Sequence, residues 1–461
     1  MTERYGIIGA GASGLAVAKI FVERGIPFDL LEREADIGGL WNISTASGIV
    51  YESTHLVSAI TTTSFEDYPV TTEAGQSAPD YPGHAWVLDY FRRYAAAFGI
   101  GPHLQCNTAV ETLQPRGDGR WEVKIAGEVE PRVYAGVVVA NGHHDTPRMP
   151  DYPGTFTGEM LHSRDYKSQR QLRDKRVLVV GAGNSACDIL KDAAHVSGSE
   201  VYMSMRRGTW FVPKFILGFP TGDVLATVEW LLTPVPRVIK RYLHQATLWA
   251  LQGPPSRYKL PDPAYGIDQA HPTMSDDIPR LAAHGRIIVK PAIARLDGHD
   301  VVFSDGSGVT VDTIVLATGY RLTIPFLEDK YFLDADGVPR LFMNTVHPRH
   351  PGLFFAGLIQ ANGSIWRLAA LQGRIIAHAI VAARAAPVEA RAFRARVARE
   401  CGPVSKQHFV TSERHKLEAN YFDYARALKR VAKMFRTTAR MTYPQRPSVV
   451  ASSREMRQAA E

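Results

Sequence analysis

The chain has only three cysteines in 461 residues, Cys106, Cys187 and Cys401, and no two form a CxxC pair. A redox-active disulfide or a cysteine-held metal is therefore not expected, and the low, odd count fits a reducing cytoplasm. No run of 18 or more apolar residues occurs, so no spanning helix or transmembrane anchor is expected. The first apolar strand starts within five residues of Met1, so no leader peptide is expected. Low-complexity linkers are also missing. Acidic residues number 46 against 53 basic ones, a net charge of +7. The basic residues are scattered. Their densest stretch, Arg391 to Arg440, alternates with Ala, Val, Leu and Phe, the pattern of solvated helix faces rather than of a nucleic-acid surface. At this length two or more domains are expected.

Two glycine-rich loops stand out, 172 residues apart. The first, Gly9-Ala10-Gly11-Ala12-Ser13-Gly14, follows the apolar run Tyr5-Gly6-Ile7-Ile8 and opens an alanine-rich helical stretch that ends at Gly25-Ile26-Pro27. Phe28 to Glu32 then reads as a second strand. Gly9 suits the tight turn, Gly11 a close approach of pyrophosphate to backbone, and Gly14 close packing of helix on strand. Glu32, at the end of the second strand, stands where a ribose-binding carboxylate belongs. The helix N-terminus offers free N–H groups and a positive dipole end to phosphate. A lone GxGxxG is weak, but the strand–loop–helix–strand context strengthens it. Gly38-Gly39-Leu40-Trp41 follows closely; paired glycines admit a large flat ligand, and Trp41 could cover it or pack in the core.

The second loop, Gly181-Ala182-Gly183-Asn184-Ser185-Ala186, follows Val177-Leu178-Val179-Val180. Ala186 replaces the third glycine, a substitution the fingerprint accepts. At the end of its second strand, Val201 to Met205, stand Arg206 and Arg207 in place of a carboxylate. A guanidinium fork suits a 2′-phosphate, which points to NADPH over NADH. The expected fold is α/β: two Rossmann-like dinucleotide-binding domains, one inserted in the other. Residues 1–165 and 316–461 form one domain and 166–315 the other. A helical insertion is expected over about 210–263, opening Trp210-Phe211-Val212-Pro213-Lys214, with Pro234 and Pro236 breaking its helices. Its first reading is ordinary packing on the second domain, with a cover over a substrate entrance or a peripheral membrane contact as alternatives.

Between the loops, Phe156-Thr157-Gly158 to His162 and Tyr166 spell FxGxxxHxxxY. Here the chain resembles the flavin-containing monooxygenases, of the bacterial class B flavoprotein type. Baeyer–Villiger relatives usually carry Trp where Tyr166 stands. Val139 to His143 and Leu316 to Tyr320 are similar to the family's two interdomain linkers. Tyr81-Pro82-Gly83-His84 matches its YPxH turn, and Gly357-Leu358-Ile359-Gln360 its return to the flavin ring. The resemblance runs from about Tyr5 to about Ile380.

It implies FAD around Gly9, Gly11, Ala12, Ser13, Gly14, Glu32, Arg33, Gly39, Leu40, Trp41 and Gln360. It implies NADPH around Gly181, Gly183, Asn184, Ser185, Arg206, Arg207, Thr318 and Gly319. It further implies that NADPH reduces FAD, and that a C4a-hydroperoxyflavin then oxygenates a soft nucleophile, an amine nitrogen or a sulfide sulfur. No side-chain nucleophile is needed; His162 is expected to shape a linker, and His84, His143 and His271 to be structural.

One position departs from the family. An asparagine usually stands six residues after the tyrosine matching Tyr51, at the flavin edge. Here it is Val57, which cannot hydrogen-bond a peroxide. Ser58, Thr61 or His55 would have to substitute, or bound nicotinamide acts alone. Val57 therefore keeps two alternatives open: Baeyer–Villiger oxygenation of ketones, and an uncoupled NADPH oxidase. A flavin-bound redox sensor with a protein partner is a third. The expected partners are a small amine or sulfide and dioxygen, with no nucleic acid and no metal. A homodimer is one option for the assembly.

Overall fold

The computed structural model describes residues 3–71, 77–232, 235–402, 409–410 and 416–441. Two five-stranded parallel sheets organise the chain. In the first, the order is Leu353–Phe355, Gly136–Val139, Tyr5–Ile8, Phe28–Leu31 and Leu104–Gln105. In the second it is Glu159–His162, Thr313–Leu316, Val177–Val180, Val201–Ser204 and Ile287–Lys290. The strands Tyr5–Ile8, Gly136–Val139, Val177–Val180 and Thr313–Leu316 are buried at every residue. This is why they read as unbroken apolar runs rather than alternating ones. Each glycine loop leaves the middle strand of its sheet. Neighbouring strands on its two sides come from different parts of the chain, so the crevice there is open to a ligand.

An antiparallel meander, Val110–Pro115, Trp121–Ile125 and Arg132–Tyr134, adds to the first unit, with Trp121 fully buried beneath it. A four-stranded sheet formed by Gly154–Phe156, Ile293–Gly298, Asp300–Phe303 and Gly308–Thr310 does the same for the second. The chain passes from the first sheet to the second between Pro147 and Gly154, earlier than the boundary expected at 165. The reason is local: the strand Glu159–His162 already pairs with Thr313–Leu316 at the edge of the second sheet. The two crossing segments pair with each other, Thr146–Pro147 against Tyr320–Arg321, so the hinge between units is a short antiparallel ladder.

The helix after the first loop, Ala12–Glu23, is clamped from behind by the helix Ile365–Ala385. At their crossing, a Cβ on Gly373 would lie 3.3 Å from Val17 Cα. Among the described residues this second helix alone is long and apolar enough to cross a membrane, but 67% of its apolar window is buried inside the protein. It is a core helix.

The insertion holds the helices Thr221–Leu231 and Arg237–Gln252. Pro236 caps the second of them, whereas Pro234 lies outside the described residues. The insertion, with the short strand Phe215–Ile216 before its helices, reaches back to the first unit. The Thr61 hydroxyl donates to Asp223 at 2.7 Å, Arg237 pairs with Asp423, and Phe215 meets the Tyr81 ring edge-on at 5.3 Å. Their outer face leaves Val238, Ile239, Tyr242 and Trp249 more than half or close to half exposed.

Candidate active site

The two glycine loops are built on backbone that side chains would obstruct. Gly9 has φ of +101° and Gly181 +130°, the left-handed region glycine favours. A Cβ on Gly14 would lie 1.8 Å from the Gly9 carbonyl oxygen, so helix and strand touch there. Gly11 and Gly39 face each other: a Cβ on Gly39 would come within 3.2 Å of Gly11 Cα. Their bare backbones pack directly against each other there. The helices Ala12–Glu23 and Asn184–Val196 begin after Gly11 and Gly183, and no side chain caps either one. Their first N–H groups are thus the natural donors to an anion.

Glu32 is buried, 4% exposed. Its carboxylate accepts from Ala10 N–H at 2.6 Å and Glu34 N–H at 3.0 Å. Burial raises its pKa, and those two donors oppose the rise. A carboxylate has about four acceptor positions, so two remain for a ligand hydroxyl. Arg33 is held by Ser47 at 2.7 Å and Asp145 at 2.9 Å. Trp41 lies in the turn Gly39–Trp41, edge-on to Trp366 at 6.5 Å.

A cavity of about 900 Å³ opens beside this contact. It gathers Gly9, Gly11, Ala12, Ser13, Glu32, Arg33, Gly39, Leu40, Trp41 and Gln360 from the first set, and His55, Val57 and Ser58 from the flavin-edge segment. From the second loop it gathers Asn184 and Ser185. Gly14, Gly181, Gly183, Arg206, Arg207, Thr318 and Gly319 do not line it. Gly14 is buried, and Gly14 and Gly181 are close-packing positions against the Gly9 and Ala317 carbonyls. The Thr318 hydroxyl donates to Arg148 carbonyl at 2.5 Å, and the Gly319 carbonyl accepts from Arg148 N–H, which fastens the linker instead. Arg206 and Arg207 are exposed and have no ion-pair partner among the described residues.

Of the three substitutes for the missing asparagine, Thr61 is turned toward Asp223 and away from the cavity. The Ser58 hydroxyl lines the cavity and shares a 2.8 Å hydrogen bond with Thr63. His55 uses Nδ1–H to reach the Ser53 carbonyl at 2.9 Å.

His162 is 1% exposed, and both its ring nitrogens are assigned by their partners. Nε2–H donates to Gly319 carbonyl at 3.1 Å, and Nδ1 accepts from Arg164 N–H at 3.1 Å. Burial pushes its pKa down, so the neutral ring ties the two linkers together. His143 and His271, read from sequence as scaffold, both stand in the cavity wall.

Sequence reading missed a pair of aspartates one turn apart on the helix Asn184–Val196. Tyr51 donates to Asp188 at 2.8 Å, while Ser53 and Tyr166 both donate to Asp192, at 2.5 and 2.8 Å. The rings of Tyr51 and Tyr166 meet at 5.2 Å. The fingerprint tyrosine thus helps bolt the flavin-edge segment to the helix of the second loop. The spacing Asp188-Ile-Leu-Lys-Asp192 was the available signal.

Burial raises the Asp188 carboxyl to about 6, against the pull of the Tyr51 hydroxyl and Lys214. The folded chain therefore holds that proton more tightly than the unfolded chain. The stability so gained is complete below the unfolded value of about 4 and is lost as pH rises through about 6. Asp188→Asn, which still accepts from Tyr51, is expected to gain about 1–2 kcal/mol relative to wild type between about pH 4 and pH 7, a figure discounted for the cavity's access to water. Thermal midpoints across that range check this. A wild-type-to-variant difference that stays flat with pH would contradict it.

Residues 2–441 match the family model described as FMO-like, flavin-binding monooxygenase-like. Flavin-containing monooxygenase 5 of Oryctolagus cuniculus is 30% identical over 446 residues, covering 91% of this chain and 81% of the relative. Dimethylaniline monooxygenase [N-oxide-forming] 2 of the same species is 31% identical, covering 92% and 81%. Among solved structures, S-allyl-L-cysteine S-oxygenase from Allium sativum superposes with a TM-score of 0.64 at 22% identity, over 99% of this chain and 98% of that one. Cyclohexanone monooxygenase gives 0.66 at 17% identity, over 94% and 98%. With the family model spanning nearly the whole chain, this protein belongs to the flavin-binding monooxygenase-like family.

Proposed function

We propose that this chain is an FAD- and NADPH-dependent monooxygenase that transfers one oxygen atom to a soft nucleophile, a sulfide sulfur or an amine nitrogen. The observation that carries this reading is one cavity lined both by Gly11 and Gly39 and by Asn184 and Ser185 of the second loop. Two dinucleotides seated on the two loops would meet across it. The bound pair supplies reductive activation of dioxygen.

The chain's own residues then have four tasks. Gly11, Gly39 and the uncapped helix N-terminus at Ala12 and Ser13 hold a pyrophosphate, with Glu32 on the ribose. Arg206 and Arg207 hold a 2′-phosphate at the mouth of the second loop. Gln360, Val57 and Ser58 border the reacting space, where only Ser58 among the flavin-edge trio keeps a hydroxyl on the wall. The insertion helices roof the cavity through Leu225, Thr247 and Leu248 and keep water out. Three unpaired thiols suit a reducing cytoplasm.

The relatives named for N-oxide formation and S-oxygenation support heteroatom oxygenation, and Tyr166 weighs against ketones. Val57 favours a second reading, an oxidase that releases peroxide, because valine offers no donor where one is expected. Purified, FAD-loaded protein should consume NADPH in step with sulfoxide or N-oxide when given a sulfide or a tertiary amine, and leave a cyclic ketone unchanged. NADPH consumption matched by hydrogen peroxide, with no oxygenated product, would overturn the proposal in favour of the oxidase.

A further inference from the structure

The insertion helix Arg237–Gln252 is amphipathic in the reverse sense of an ordinary surface helix. At 3.6 residues per turn, Lys240, Arg241, His244 and Leu248 share one face, and all four line the cavity. Glu229 holds Lys240 at 2.8 Å and Asp268 holds Arg241 at 2.5 Å, so both charges are turned inward. The opposite face carries Val238, Ile239, Tyr242, Leu243, Ala246 and Trp249, with no charged side chain among them. All six are exposed, Tyr242 by 66% and Trp249 by 55%. Of the sixteen residues in the helix only Leu248 is buried within the chain.

A helix of this length depends on packing for its stability, and its own chain supplies little. The outer face is shaped for another helix. Ile239, Tyr242, Ala246 and Trp249 recur at steps of three, four and three, the seam of a two-helix coil. That seam is self-complementary in one orientation. With two helices antiparallel about a two-fold axis level with His244, Tyr242 of one copy faces Ala246 of the other, Val238 faces Ala250, and Ile239 faces Trp249. Large side chains thus meet small ones beside the axis. A parallel pair would set Tyr242 on Tyr242 and leave a gap at Ala246. Charge agrees with the antiparallel choice. Arg237, with a side chain 61% exposed, then stands at the C-terminal end of the other helix, where a cation is favoured. In a parallel pair it would meet Arg237. The five large side chains offer on the order of 500 Å² of apolar surface per copy, or about 1,000 Å² for the pair, the lower bound of a specific interface. A bilayer fits the face less well. Its deepest residue there would be Ala246, which inserts little, and Lys240 and Arg241 point away from any headgroup.

We propose that a second copy of this chain docks on this face, the two Arg237–Gln252 helices pairing antiparallel with Tyr242 seated over Ala246. The pairing gives the helix the packing that its own chain withholds. Because the inner face of the same helix lines the cavity, the partner also holds the cavity roof in place. The proposal stands apart from the reaction catalysed in the cavity.

Sedimentation velocity of the full-length, FAD-loaded protein between about 1 and 100 µM is expected to show a reversible monomer–dimer equilibrium, as suits an interface of this size. Ala246→Leu fills the seat of Tyr242 while adding apolar surface. It is expected to weaken the dimer at least about tenfold, whereas an unspecific apolar contact would tighten. Exchanging the two sizes, Tyr242→Ala together with Ala246→Tyr, is expected to restore the dimer that either change alone weakens. Orientation is read by oxidising a mixture of Tyr242→Cys and Ala246→Cys chains. The mixed pair is expected to crosslink, because a disulfide needs Cα atoms within about 7 Å, and neither variant is expected to crosslink alone. A protein that stays monomeric throughout, a dimer indifferent to Ala246→Leu, or Tyr242→Cys chains that crosslink only with each other would overturn the proposal. So would binding to phosphatidylcholine–phosphatidylglycerol vesicles that Ala246→Leu strengthens, which would give the face to a membrane. Should the leucine variant fail to fold, the concentration series and the crosslinking decide.

Discussion

Gly14→Ala is expected to yield protein that retains no flavin. One added methyl would place its carbon 1.8 Å from the Gly9 carbonyl oxygen, against the 3.0 Å that real Cβ atoms keep. The helix Ala12–Glu23 would have to back away by more than an ångström. It has nowhere to go, because Gly373 of the helix Ile365–Ala385 already brings backbone against Val17 behind it. Overpacking of this kind costs about 3 kcal/mol or more. The same shift opens the turn at Gly9 and carries the Ala12 and Ser13 N–H groups away from the cavity they line. The effect on flavin thus exceeds the effect on stability. Visible flavin absorbance per polypeptide and the gain in thermal midpoint on adding FAD measure it. Ala186→Gly is the matched control: the second loop already accommodates a methyl at the corresponding position, and removing it is expected to change stability by no more than about 1 kcal/mol. A stable, fully flavinated Gly14→Ala protein would show that the first loop is not the flavin seat.

The elements legible in the sequence are those fixed by local backbone chemistry. The strands before both glycine loops are short apolar runs ended by obligate glycine, and they stand where expected. The helical insertion announces itself by apolar periodicity ended by proline. What the sequence hides is contact between segments far apart. Tyr51 and Ser53 meet Asp188 and Asp192 across more than 130 residues, and nothing in either stretch names the other. The pairing of Gln360 with Glu418 has the same character, since a two-residue ladder has no periodicity to read. The edge strand Glu159–His162 is hidden for a related reason. FxGxxxH reads as a motif, yet its last four positions are an edge strand whose partner, Thr313–Leu316, lies about 150 residues on. Thr61 is near Val57 in sequence, but the short helix Ile60–Thr63 turns its hydroxyl toward the insertion.

Arg206→Ala is expected to erase the preference for NADPH over NADH. Arg206 and Arg207 follow the strand Val201–Ser204, whose counterpart in the first sheet leads to Glu32. The two loops are alike in backbone, so this exchange of a buried carboxylate for exposed guanidinium groups is the difference a coenzyme would sense. Neither arginine is committed to an acid among the described residues, so no ion pair must break before phosphate binds. A guanidinium–phosphate contact contributes about 1.5–3 kcal/mol. Losing it should raise the Michaelis constant for NADPH about tenfold to a hundredfold and leave that for NADH nearly unchanged. The two constants would then converge. Added salt should weaken NADPH binding in the wild type more than in the variant, because the contact is exposed and screened. Arg207→Ala assigns the fork between the two side chains: equal losses mean a shared clamp, whereas a loss in one alone names the reader. If both single variants and the double variant keep the wild-type NADPH preference, discrimination lies elsewhere, and the second loop no longer has a 2′-phosphate site at the end of its second strand.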